Sequence, residues 1–192
     1  MDDVIAKVGL PRRRFTVDEY YRLAEVGILT ERDHVELIDG DIVQMSPMGS
    51  RHGQCVAALT ERLVTAVVGR AQLRPQLPLR ISMRTEPEPD IILVRPGPDY
   101  WTRHPRPEDV LLLVEVAETS YAYDHDVKLP LYARENVPEV WIVDLPRRVV
   151  EVYREPGPKG YRSARRLERG ATLTPAAFPD VFIVVDEILP PA

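Results

Sequence analysis

The chain has 192 residues, 44% of them hydrophobic and 29% charged, with a formal net charge of −5. That length supports one sizeable core and a single domain over residues 1–192, while the acid excess argues against a dedicated high-affinity nucleic-acid binder, which is ordinarily basic. A single cysteine, Cys55, excludes an internal disulfide and a cysteine-rich zinc site.

Residues 1–10 carry neither the basic start nor the apolar stretch of a secretion signal, and no later apolar run is long enough to span a bilayer. A cytoplasmic address with no membrane partner is expected. The first helix is signed by Thr16 and Glu19, a T-x-x-E capping box. Phe15 and Tyr20 sit at the staple positions and Gly27 at the stop. In V-E-L-I-D-G-D-I-V-Q-M, Asp39-Gly40 joins two apolar runs, the pattern of a two-residue type I′ hairpin. Ser50 opens a second helix whose stripe of His52, Val56, Leu59, Leu63 and Val67 predicts a core-facing surface. On that stripe His52 reads as a core histidine.

Residues 71–83 read as a strand followed by a bend at Pro75 and Pro78. P-D-I-I-L-V, with Asp90 at its head, predicts an apolar strand, and residues 96–107 a proline-punctuated loop carrying Trp101. V-L-L-L-V-E-V (Val110 to Val116) predicts a strand buried on both faces in mid-sheet, yet it contains Glu115. A helix from Asp126 to Glu135 follows, then V-W-I-V-D (Val140 to Asp144), R-V-V-E-V-Y (Arg148 to Tyr153) and weaker strand signals ending in V-F-I-V-V. Strands alternating with helices imply a crossover connection. Trp101, Tyr121, Tyr123 and Trp141 read as packing groups, and the runs Arg12 to Arg14 and Arg165-Arg166 as solvated surface.

An ionised carboxylate in a strand such as that of Glu115 costs several kcal/mol unless it is compensated. A buried ion pair with arginine would compensate it. Asp90 and Glu115 together also supply what Mg²⁺ asks of a protein, one or two carboxylates with the remaining positions left to water and phosphate oxygens. Only three of the 25 basic residues are lysines. One of them, Lys128, follows Asp126, whose N-cap role would put it in the first helical turn, pointing back at the acids. There it would stabilise developing negative charge or hold an attacking water. The alternative is a solvated lysine paired with Asp124 at i,i+4 spacing.

These stretches carry a resemblance. E-L-I-D-G-D-I-V-Q-M-S-P (Glu36 to Pro47) with His52-Gly53, P-D-I-I-L-V (Pro89 to Val94) and the block from Val114 to Asp144 are similar to the Uma-two family of restriction-endonuclease-like proteins, within the PD-(D/E)XK nuclease superfamily. The resemblance implies an α/β restriction-endonuclease-like core: a mixed sheet flanked by helices, with an N-terminal helix and hairpin and extra C-terminal strands. It implies a metal-dependent endonuclease that hydrolyses phosphodiester bonds of nucleic acid, DNA in the first instance. Mg²⁺ would be held by Asp90 and Glu115, with Mn²⁺ able to substitute. The superfamily's lysine two residues after the second acid is Ala117 here, and the family pattern moves it to Lys128. The resemblance adds Glu36 to the site, places Gln76 within reach of it and suggests a homodimer. The competing expectation, motivated by Ala117 and the acidic net charge, is a nuclease fold that no longer cleaves and serves as a binding or assembly module.

Overall fold

The computed structural model describes residues 12–30, 32–97 and 99–191. The reading of residues 1–10 as free of a leader lies outside them. No described helix is long and apolar enough to cross a membrane.

Helix α1 (Val17–Glu25) starts where its cap predicts. Glu19 N donates to Thr16 Oγ1 at 3.2 Å and Thr16 N to Glu19 Oε2 at 3.0 Å. Strands β1 (Val35–Ile38) and β2 (Asp41–Gln44) pair antiparallel around Asp39 and Gly40, whose φ values of 48° and 82° are those of a type I′ turn. A Cβ on Gly40 would lie 2.6 Å from Arg14 Cβ and 3.0 Å from the Phe15 carbonyl oxygen. Gly40→Ala is therefore expected to cost about 1–3 kcal/mol, read as a lower midpoint in urea denaturation at unchanged slope.

The centre is a six-stranded mixed sheet in the order β3-β4-β5-β6-β7-β8. Its strands are β3 (Gln72–Pro75), β4 (Ile91–Val94), β5 (Val110–Ala117), β6 (Glu139–Asp144), β7 (Val149–Arg154) and β8 (Ser163–Leu167). Only β5 and β6 run parallel, so the chain must cross over between them. Helix α2 (Ser50–Val67) covers one face and buries Cys55, Val56, Leu59, Leu63 and Val67. The C-terminal pair β9 (Thr172–Leu173) and β10 (Ile183–Val184) adds Leu173 and Ile183 to that core. Burial raises the Cys55 thiol to about 12, which keeps it protonated and inert. Glu139 pins the tail: it accepts from Trp141 Nε1 (2.8 Å), Arg154 Nη2 (2.7 Å) and the Ala176 amide (2.6 Å).

The crossover helix α3 covers the opposite face. It is α-helical at Tyr121–Tyr123, π-helical at Asp124–Lys128 and α-helical again at Leu129–Arg134. The predicted start at Asp126 is thus corrected to Tyr121, and Lys128 lies in the wide turn rather than the first turn. The sequence misleads through Pro130. Proline has no N–H and its ring collides with the carbonyl four residues back in a regular helix, so it reads as a helix start. Here a π turn absorbs it, and Leu129 N bonds to Asp124 O, an i to i−5 link. Trp101 is also corrected: it is 99% exposed and packs on nothing.

Candidate active site

Continuing the antiparallel register Ile91↔Val114 by one residue sets Asp90 opposite Glu115, at the head of β4 and near the end of β5. Residues two apart on a strand share a face. Glu115 therefore joins Leu113 and Ala117, on the side where Leu129 and Tyr132 of α3 pack. The sheet interior delivers both acids beneath the crossover helix.

The helix answers with one line of side chains. Asp124, Lys128 and Tyr132, spaced four residues apart, face the acids. Lys128 Nζ lies 3.2 Å from Glu36 Oε1, 3.3 Å from Glu115 Oε1 and 3.8 Å from Asp124 Oδ1. Its side chain is 6% exposed, so the lysine is not solvated, although the expected i,i+4 pair with Asp124 is present. The ammonium also sits over the Tyr123 ring, 5.4 Å from its centroid. Tyr132 donates to Glu115 Oε1 at 2.6 Å, and Tyr123 to Glu36 Oε1 at 2.9 Å.

Glu36 comes from β1 and is fully buried. Residues 86–88 close over its hairpin: Glu86 N bonds to Leu37 O, and Glu88 N to Glu36 Oε2 at 3.0 Å. Asp90 is held from two sides. Its Oδ2 accepts the Val116 amide at 2.7 Å and lies 3.2 Å from His52 Nε2. His52 is thus no ordinary core histidine, and its Nδ1 is buried with no hydrogen-bond partner. Gln76 touches this corner through its backbone: its amide donates to the Asp90 carbonyl at 3.1 Å, while its side chain is exposed.

Three carboxyl groups, Glu36, Glu115 and Asp124, thus surround one ammonium, with Asp90 opposite Glu115 in register. Burial raises the Glu115 carboxyl to about 8, against the lowering pull of Lys128, and raises Asp124 to about 6 for the same reason. Lys128 is held charged, well above its ordinary value, because its three carboxylate partners outweigh desolvation. The structure brings Asp90, Glu115, Lys128 and Glu36 into one cluster. The sequence names Asp124 only as an i,i+4 partner of Lys128, does not point to Tyr132, and gives Tyr123 and His52 packing roles. The i,i+4 spacing of Asp124, Lys128 and Tyr132 was the signal available for two of them.

Among the described residues, no group of three or more His, Cys, Asp or Glu stands ready to hold a metal ion. The acid pair Asp90 and Glu115 offers two carboxylates. That suits Mg²⁺, which keeps several waters and takes phosphate oxygens from its substrate. The contacts of Asp90 fall on Oδ2 and those of Glu115 on Oε1, which leaves one oxygen of each for an ion.

The sequence profile of the Uma2 family, described as "Putative restriction endonuclease", matches residues 17–186. The crystal structure of a "putative nuclease belonging to DUF820" from Anabaena variabilis superposes with a TM-score of 0.69. The two are 16% identical, over 91% of this chain and 97% of that one, so the likeness is one of fold. No curated protein matches the chain.

Proposed function

The chain belongs to the Uma2 family of restriction-endonuclease-like proteins, and from that premise we propose that it is a Mg²⁺-dependent endonuclease hydrolysing phosphodiester bonds of DNA. The observation that carries the reading is the ammonium of Lys128, buried 3.3 Å from a mid-sheet glutamate that stands opposite Asp90 in register. Asp90 and Glu115 would hold the ion, with Mn²⁺ able to replace it. When bound, the ion supplies a water more acidic than bulk water and neutralises charge on phosphoryl oxygens. Lys128 is oriented by Glu36 and Asp124, and its fixed ammonium favours negative charge at the phosphate or orients the incoming water. Tyr132 fixes Glu115 by one oxygen.

Purified protein incubated with DNA and RNA in Mg²⁺ or Mn²⁺ tests the reading. Cleavage is expected with the wild type, and only background with Asp90→Asn or Glu115→Gln. Cleavage that survives both substitutions would refute the assignment. Calorimetry adds a second readout: no divalent-ion binding at this acid pair would identify a nuclease fold that does not cleave.

A further inference from the structure

A cleft of about 700 Å³ opens beside the carboxylate cluster, lined by residues that include Tyr21, His34, Glu86, Glu88 and His104. It adjoins the site through one residue, because the amide of Glu88 is held by the same Glu36 carboxylate that contacts Lys128. Two of its lining residues are neighbouring aromatic rings. The Tyr21 hydroxyl and His104 Nε2 are hydrogen-bonded at 3.0 Å, and the two rings lie within 8° of parallel with centroids 6.3 Å apart. Rings so joined lie side by side in near-parallel planes and present a wider aromatic surface than either alone.

The carboxyl groups of the cleft, Glu86 and Glu88, offer acceptors. Glu86 is almost wholly buried; Arg80 Nε holds its Oε2 at 2.6 Å, while its Oε1 is buried with no hydrogen-bond partner. Burial and the neighbouring Glu36 and Glu86 raise Glu88 above its ordinary range. Arg80 is committed to Glu86, with Asp18 as a second partner at 3.9 Å. Such a cleft suits a planar ligand whose edge carries N–H donors.

We propose that this cleft is a subsite for an unpaired nucleobase next to the scissile phosphodiester, stacked on the Tyr21–His104 pair with its amino edge toward Glu86 and Glu88. The proposal rests on the nuclease reading and narrows its substrate to nucleic acid that is single-stranded or locally unpaired, because a base inside a duplex cannot enter. Adenine, cytosine and guanine carry the exocyclic amine that the acceptors want; thymine does not.

The test measures the binding of a fluorescein-labelled single-stranded DNA decamer to the full chain in Ca²⁺, by anisotropy. His104→Ala, in a surface loop, and Tyr21→Ser are each expected to weaken binding about tenfold. Tyr21→Phe, which keeps the ring, should stay within about threefold. An abasic decamer should bind wild type and variants alike, and a polythymidine strand more weakly than a polycytidine strand. Unchanged affinity in His104→Ala, or a duplex bound as tightly as the single strand, would overturn the subsite. If the variants lose affinity while the wild type cleaves nothing, the subsite stands and the nuclease reading falls. If the wild type cleaves and the variants bind like it, the reverse holds. If no strand binds at all, the subsite falls.

Discussion

A Lys128→Met variant is expected to lose about 3–5 kcal/mol of folding stability at pH 8, and much less at pH 5. The side chain is buried, and its ammonium is within 3.2–3.8 Å of Glu36, Glu115 and Asp124. Methionine fills the same volume but leaves three buried carboxyl groups with no cation. The pH dependence follows from the two raised carboxyls, Glu115 at about 8 and Asp124 at about 6. A carboxyl whose folded pKa stands above its unfolded value binds its proton more tightly in the folded state. It contributes stability in full below the unfolded pKa and loses it as pH rises through the folded one. In the wild type that loss runs from the usual carboxylate range up to about 8. Lys128 lowers both values, so without it they climb further and the loss continues to higher pH. The deficit of the variant should therefore widen from pH 5 to pH 8 in urea denaturation. A deficit that stays constant with pH would mean that Lys128 contributes only packing.

The sequence was informative wherever its signals were local. Thr16 and Glu19, Asp39-Gly40 and the α2 stripe each encode their structure within a few residues, and the apolar run around Glu115 declares a central strand. Most of the misreadings have long-range causes. Nothing near Glu36 in sequence announces that residues 86–88 fold across its hairpin and bury it. The partner of His52 is 38 residues away. The π turn has no sequence signature of its own, and Pro130 pointed to a later helix start. With the start misplaced, Asp124 stood outside the predicted helix and entered only as a surface partner of Lys128, while Tyr132, although inside it, had no reason to be joined to Glu115. Both are in fact aligned with Lys128.

Moving the lysine provides the sharpest separation of charge from position. Ala117 lies two residues after Glu115, shares its face of β5 and is fully buried. A lysine there would rise from the strand beside Glu115 instead of descending from the helix. Lys128→Ala alone should cut cleavage by about 10²–10³-fold and carry the stability loss argued above for Met. Ala117→Lys alone should also destabilise, because it adds a second buried cation to a cluster that already has one. In the Ala117→Lys, Lys128→Ala double variant the vacated volume receives the new side chain. The double variant should therefore be more stable than the two single losses add up to, by at least about 1 kcal/mol in a double-mutant cycle. It should also recover at least tenfold of the lost cleavage. The stability arm needs no turnover, so it holds even for a fold that does not cleave. Recovery of stability without cleavage would mean that Glu115 needs only a cation, while the chemistry needs that cation on α3. No recovery of either would show that the line Asp124, Lys128, Tyr132 works as one unit fixed by the π turn.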